Sequence, residues 1–343
     1  MPITWRPAIW SDIGEGLSIQ PNKWGDALVG AERAIKCWKQ MVRSPFFASA
    51  LLSADPAIRG HRLIGFGCSI PVLKAFVDAE IANPRPDINS RAIAGIDAGR
   101  PVLATWNEVA RANARDGVDI LILFGSWHDE ILSPAERYDV QTILASSFTE
   151  WHRGYRIKRI IFETADEPAR DFAERSVVYR TVAAFPECGR VLHLMTSESV
   201  KAAPASLGNI LFGYREPLLG LRYSDQELLQ AALSGTTDLE IAADLGVTFA
   251  AVKARWRSTF ARFAEVMPDG MADEGNCKGR GVQKRHRVLA YVRNHPEELR
   301  PFDWKEKREP LSGAMREKRP SFGPQSQSVV VLPQSHAANF SRE

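Results

Sequence analysis

Apolar residues recur along this chain at two periods, and the switch between them predicts where strands give way to helices. In the front half, strand-like runs cover Ile3 to Pro7, Phe46 to Leu52, His61 to Ile70, Val118 to Phe124, Arg156 to Glu163 and Val191 to Met195. Val118-Asp119-Ile120-Leu121-Ile122-Leu123-Phe124 is the clearest. It is apolar at nearly every position, the pattern of a strand buried on both faces, and it is expected to end at the turn Gly125-Ser126. Helical spacing lies between these runs: Asp26 to Val42, Val72 to Ala82, Glu108 to Arg115, a long helix opened by Ser133-Pro134 and reaching about His152, and Pro168 to Glu174. Residues 87–100 are weakly helical, Val102-Leu103-Ala104 is a short apolar piece, and residues 10–24 read as a Gly/Pro-punctuated loop. The alternation predicts a mixed α/β domain over 1–195, and the Ser/Ala/Pro-rich stretch that follows reads as a linker over 196–215.

Beyond it the period is helical only. Leu221, Leu228, Leu229 and Ala232 form one face, and Gly235 stops that helix. Thr237 and Asp238 can cap a second helix with Ile241, Ala242 and Leu245 inward. After Gly246, Thr248 can cap a third through Val252, Trp256 and Phe260. Two short helices joined at a glycine turn make the helix-turn-helix unit.

The string Asp238-Leu239-Glu240-Ile241-Ala242-Ala243-Asp244-Leu245-Gly246-Val247-Thr248-Phe249-Ala250-Ala251-Val252-Lys253 resembles the C-terminal DNA-binding domain of LuxR-type regulators, a pattern shared by region 4 of sigma factors. Ala251 stands where that family has Thr, and Tyr223 where it often has Pro. The resemblance implies that Lys253, Ala254 and Arg257 face a major groove and that Thr237 and Thr248 meet phosphates at helix N-termini. Composition adds one asymmetry to a net charge of +3: residues 251–319 carry 17 Lys and Arg against 10 Asp and Glu, while residues 1–250 are net acidic. A basic helix follows, Gly281 to Arg293, where Lys284, Arg285 and Arg287 offer auxiliary phosphate contacts and the apolar side suits docking. Residues 305–343, charged and then Ser/Gln/Pro-rich, are expected to be a disordered tail.

The front half has a second resemblance, to GNAT-type N-acetyltransferases, in the order of its elements, in Ile3-Thr4-Trp5-Arg6-Pro7-Ala8 and in His152 to Ile160. That family holds the pyrophosphate of acetyl-coenzyme A on the amides of a glycine-rich loop between the central strand and the long helix. The matching loop here, Ser126 to Pro134, has no glycine and carries Asp129 and Glu130. Within it Trp127-His128-Asp129-Glu130 sets a histidine beside two carboxylates, with His152 on the next helix. Such a pattern can serve acid–base or metal chemistry, but adjacent loop residues rarely converge on one site and no third ligand has suitable spacing, so no catalytic or metal-binding residue is assigned. The cluster from Glu163 to Glu167 reads as a solvated loop and Cys68 as a small buried apolar residue.

Cys37, Cys68, Cys188 and Cys277 form no metal-ligand spacing, and no apolar stretch reaches the about 20 residues of a membrane helix. The expected fold is therefore α+β: a mixed α/β regulatory domain (1–195), the linker, a LuxR-type all-α helix-turn-helix domain (216–266), a linker and basic helix (267–304) and the tail. The expected function is a bacterial, cytoplasmic, DNA-binding transcription regulator with no cofactor and no membrane. Its expected partners are double-stranded DNA, a second copy in a homodimer, and an unknown small-molecule or protein effector. The alternative is a GNAT-like acyltransferase with an accessory helical domain.

Overall fold

Seven runs of the chain pair into one sheet: β1 (Ile3–Arg6), β2 (Ala48–Ile58), β3 (His61–Val72), β4 (Val118–Trp127), β5 (Ile157–Thr164), β6 (Arg180–Phe185) and β7 (Arg190–Thr196). This computed structural model describes residues 3–19, 27–165, 167–175, 178–203, 206, 208–268 and 280–305. All of them fall in one compact unit, Met1–Arg308. The sheet order is β1-β2-β3-β4-β5-β7-β6, and every neighbouring pair is antiparallel except β4 with β5. A parallel pair needs a crossover, and the chain supplies it as a helix.

The helices of this layer are α1 (Ile13–Ser18), α2 (Ala31–Val42), α3 (Lys74–Ala82), α4 (Ile88–Asp97), α5 (Trp106–Ala114), α6 (Pro134–His152), α7 (Glu167–Arg175), α8 (Ser197–Lys201) and α9 (Gly208–Phe212). Ile13, Trp38, Met41, Val77, Ile88 and Ile93 of the first four join Phe66, Leu121, Leu123, Ile161 and Leu194 in one core cluster. Val109, Val200 and Leu211 pack with Ile120 and Ile160 in another, with Phe148 of α6 against it. Successive strand residues point to opposite faces, so Leu121 and Leu123 serve the first cluster and Ile120 and Ile122 the second.

Several sequence expectations change. Within the loop expected over 10–24, α1 forms, with Ile13 and Leu17 buried, while residues 20–24 lie outside the described residues. The turn expected at Gly125-Ser126 is strand instead. Gly125 pairs with Gly67 and Ser126 with Phe66, so the ladder continues to Trp127. The sequence does not foreshadow β6; its residues alternate weakly and only Phe185 is buried. The stretch expected as a linker holds α8 and α9, and Val200 and Leu211 are in the core.

The C-terminal part contains α10 (Tyr223–Leu233), α11 (Asp238–Asp244), α12 (Phe249–Val266) and α13 (Arg280–Asn294) around Leu228, Leu229, Ile241, Val252, Trp256 and Val288. It is stitched to the α/β layer. Asn113, fully buried, donates to the carbonyl of Pro301 at 2.9 Å and accepts from Arg156 N–H at 2.6 Å. The Arg300 guanidinium donates twice to the carbonyl of Arg153, and Gly154 lies against the backbone of Pro296 and Glu297. Residues 269–279, most of the expected linker before α13, and 306–343 of the expected tail lie outside the described residues.

Candidate functional site

The parallel pairing of β4 with β5 runs from Val118/Ile157 to Leu121/Ile161 and stops there. Beyond it β4 stays with β3, and β5 stays with β7 as far as Thr164. The sheet therefore splits into two halves, and among the described residues the edge of β4 that faced β5 has no strand partner from Ile122 onward. A bulge helps: Ser69 pairs with Ile122 and Cys68 with Phe124, leaving Leu123 as the extra residue.

A cavity of about 540 Å³ occupies the split. Such a volume suits a small organic ligand. Its apolar walls include Phe124, Leu144, Phe148, Phe162, Met195 and Leu211. Residues from both sheet faces line it, Asn89 from the α4 side and Phe148 from the α6 side.

Four polar groups are fixed at its wall. The first is Ser69, almost fully buried, whose hydroxyl lies 3.3 Å from Nε2 of His152. Nδ1 of His152 is 2.8 Å from the carbonyl of Phe148, which can only accept, so Nδ1 carries the proton. Nε2 is then the acceptor and the Ser69 hydroxyl the donor. Burial pushes His152 down to about 4, so the imidazole is neutral at neutral pH. The second is Thr164, 3.0 Å from Nε2 of His193, another buried imidazole lowered to about 4 by desolvation.

The third is Glu163, whose carboxylate accepts from Asp87 N–H (2.8 Å), Ile88 N–H (3.4 Å) and Arg190 Nη1 (2.6 Å). Desolvation raises its pKa, opposed by Arg190. These bonds tie the start of α4 to β5. The fourth is Asn89, one residue further on, whose Nδ2 donates to the carbonyl of Leu123 at 2.6 Å. Its Oδ1 is buried and has no hydrogen-bond partner among the described residues.

The N-terminus of α6 lies beside this cleft and is closed by its own side chains. The Ser133 hydroxyl accepts from Glu136 N–H, the Glu136 carboxylate accepts from Ser133 N–H and hydroxyl, and Pro134 contributes no donor. The loop before it satisfies itself too. Trp127 Nε1 donates to Asp129 at 3.1 Å, Asp129 pairs with Arg137, and His128 lies 3.0 Å from Glu130. The segment Trp127-His128-Asp129-Glu130 is thus a network closed on itself. His152 does not join it but faces Ser69, and no group of side chains among the described residues could hold a metal ion.

Glu163, expected in a solvated loop, has a side chain only 2% exposed because it lies within β5, one residue before its end, and is held by Arg190 and the amides at the start of α4. Cys68 is buried as expected, and burial raises its thiol pKa. Ser69, Asn89 and Thr164 are functional candidates that sequence reasoning misses. Ser69 and Thr164 do fall within or beside expected strands, but a hydroxyl there reads equally as a surface residue.

The residues expected to meet DNA are placed as follows. Lys253, Ala254 and Arg257 are exposed on α12, and the Lys253 ammonium sits 4.4 Å over the Phe249 ring. The Thr237 hydroxyl exchanges hydrogen bonds with Glu240, and the Thr248 hydroxyl accepts from Ala251 N–H, so both are spent as helix caps. Arg285 bridges α13 to α11 through Asp238 (2.7 Å) and the carbonyl of Thr236 (3.1 Å), stacked on Trp256. Lys284 beside it is half-buried. Thr237, Thr248 and Arg285 thus have partners within the chain, and no helix among the described residues is long and apolar enough to cross a membrane.

No family model and no curated protein matches the chain. Among solved structures it is similar to FeeM, an N-acyl amino acid synthase from uncultured soil microbes, at 10% identity and a TM-score of 0.34, covering 59% of this chain and 94% of that one. It is similar to the C-terminal condensation domain of Ebony in complex with beta-alanyl-dopamine at 12% identity and a TM-score of 0.34, covering 57% and 99%. It is also similar to an acetyltransferase from Thermus thermophilus at 7% identity and a TM-score of 0.28, covering 57% and 97%. The structure itself is a mixed α/β one built on the seven-stranded sheet. The expectation of a DNA-binding transcription regulator is corrected: the structures named are an N-acyl amino acid synthase, a condensation domain and an acetyltransferase, not DNA-binding proteins.

Proposed function

We propose that the chain is an acyltransferase of GNAT-like fold that moves an acyl group from a thioester to an amine in the split between β4 and β5, with the C-terminal helices as an accessory unit. The observation that carries this reading is the split itself. It opens an apolar cavity through the middle of the sheet and frees one backbone edge of β4 beside it.

Each part of the reaction has a place there. The apolar walls suit an acyl chain, whose burial contributes about 0.8 kcal/mol per CH₂. The free edge of β4 supplies backbone groups for the amide-containing arm of a pantetheine thioester. The amine nitrogen attacks the thioester carbonyl carbon, the C–S bond breaks as the tetrahedral adduct collapses, and the products are an amide and a thiol. Ser69 takes the proton lost by the nitrogen while passing its own to His152 Nε2, and the leaving thiolate recovers it. The carbonyl of Phe148 holds the imidazole in the tautomer this requires.

The closed α6 N-terminus sets the donor's character. With the Glu136 carboxylate on the Ser133 amide, the Ser133 hydroxyl on the Glu136 amide and no donor at Pro134, it makes a poor cradle for a pyrophosphate, so the thioester arm and acyl chain carry the binding. The test follows thiol release from octanoyl-pantetheine with phenethylamine as acceptor, with mass detection of the N-octanoyl product. Amine-dependent release is expected, and Ser69→Ala is expected to lower kcat about 100-fold. No amine-dependent release from any donor between acetyl and dodecanoyl would sink the proposal.

A further inference from the structure

We infer that the acyl acceptor is an amine with no carboxylate beside its nitrogen, held through an N–H by the carboxamide oxygen of Asn89. This rests on the acyltransferase reading and names the substrate class for the same cavity.

The first ground is an unmatched acceptor. Asn89 spends its amide nitrogen on the carbonyl of Leu123 at 2.6 Å, which fixes which end is oxygen, since a carbonyl cannot bond to another acceptor. The oxygen that remains is buried without a partner among the described residues, on a residue that lines the cavity. Burying such an atom costs about 1–3 kcal/mol unless a ligand satisfies it. Its placement is enforced from behind: Glu163 grips the amides of Asp87 and Ile88 immediately before it, and Asp87 caps α4 through Ser90 N–H from a left-handed backbone conformation (φ 68°).

A second ground is Ser69. Its proton is committed to His152, so the lone pairs of its oxygen are what it can offer a ligand. Both groups therefore ask for a donor.

The third ground is charge. Among the described residues that line the cavity, Arg190 is the only Lys or Arg. Its Nη1 lies 2.6 Å from Glu163 and 3.5 Å from Asp87, so its charge is already matched by two carboxylates. A carboxylate entering with the acceptor would lose its hydration and meet no uncommitted cation, a heavy desolvation cost. A neutral amine loses far less and supplies the N–H groups that Asn89 and Ser69 lack.

The experiment compares phenethylamine with phenylalanine, which differ by that one carboxylate, using octanoyl-pantetheine as donor. Phenethylamine is expected to be better by at least about tenfold in kcat/KM, the ratio for 1.4 kcal/mol. Asn89→Leu is expected to raise the KM for phenethylamine about tenfold and leave that for the donor within about twofold. Asn89→Asp keeps an oxygen but loses the bond to Leu123, and is expected to keep the amine KM near wild type. Equal or better use of phenylalanine overturns the inference, and so does an equal rise of the amine KM in both variants. Calorimetric binding of phenethylamine to the wild-type chain separates the two failures: binding without turnover rejects acyl transfer, whereas turnover without discrimination rejects only the acceptor class.

Discussion

Asp119 and Arg159 stand opposite each other in the parallel ladder of β4 and β5 and share two hydrogen bonds of 2.7 Å, one from Nε and one from Nη2. Asp119 is 3% exposed, and a third bond ties Arg159 to Asp78 of α3. The pair sits at the second rung of a four-rung ladder that ends where the cavity begins. It holds the two strands together at the apex from which they diverge. Removing Asp119 leaves the buried Arg159 guanidinium with Asp78 as its remaining carboxylate partner, so Asp119→Ala is expected to cost about 2–3 kcal/mol, less than for a buried charge left with no partner. Urea denaturation checks this. A loss below about 1 kcal/mol would show that the apex is held by its apolar rungs, Ile120 with Ile160 and Leu121 with Ile161.

The two buried imidazoles give stability a pH dependence whose sign is fixed. His152 and His193 sit near 4 in the folded chain, below the ordinary 6.5, because burial disfavours their charged forms. The unfolded chain therefore binds more protons between these limits. Their contribution is complete above 6.5, falls as the pH drops from 6.5 towards 4, and does not fall further below 4. Each imidazole steepens the curve by up to about 1.4 kcal/mol per pH unit in that window. Urea midpoints at several pH values between about 4.5 and 7.5 test it, and His193→Gln should roughly halve the slope. An unchanged slope in that variant would place the dependence elsewhere.

How much of this can be read from the sequence depends on how local the signal is. The run Val118 to Phe124 shows itself as a buried strand, and Ser133-Pro134 with Glu136 shows itself as a helix start, because each is decided within a few residues. The split is decided by pairing between strands distant in sequence, and nothing in Ile122 or Phe162 alone says that they have parted. Glu163 is legible as a charge and illegible as a buried one, since the Arg190 and α4 amides that hold it come from distant parts of the chain. The C-terminal helices teach the opposite lesson. Their local pattern is strong enough to place α10, α11 and α12, yet local pattern does not determine what an exposed face such as Lys253 and Arg257 does.

Gly154 joins the end of α6 to the C-terminal segment. Its φ of 88° favours glycine, and a Cβ there would lie 2.6 Å from the backbone of both Pro296 and Glu297. Neither neighbour is a flexible side-chain end. Gly154→Ala is therefore expected to cost at least about 1–3 kcal/mol through the backbone alone, and to displace residues 296–301 from the α/β layer. Limited proteolysis should then cut near Arg300, whose bonds to Arg153 depend on that approach. Wild-type resistance to cleavage in the variant would argue that the segment is held by Asn113 and Glu298 instead.

On the proposed acyltransferase reading, the length of acyl chain that the cavity accepts should be adjustable from β3. Gly67 on β3 pairs with Gly125 on β4, and a Cβ at Gly67 would stand 2.8 Å from Cδ2 of Leu144, a cavity-lining residue of α6. That contact is too close to survive, but it is with the end of a side chain that can rotate, so Gly67→Ala moves Leu144 rather than the strands. Overpacking of this kind costs about 1–3 kcal/mol and takes volume from an apolar wall. The expected result is a change in donor preference: kcat/KM for dodecanoyl-pantetheine falls about tenfold, as it would for losing room for two CH₂ groups at about 0.8 kcal/mol each, while that for butanoyl-pantetheine stays within about twofold. A uniform fall across donors would mean that the substitution disturbs the split itself. An unchanged preference, with the fold retained, would mean that the acyl chain runs along the wall formed by Phe162 and Met195 and never reaches Leu144.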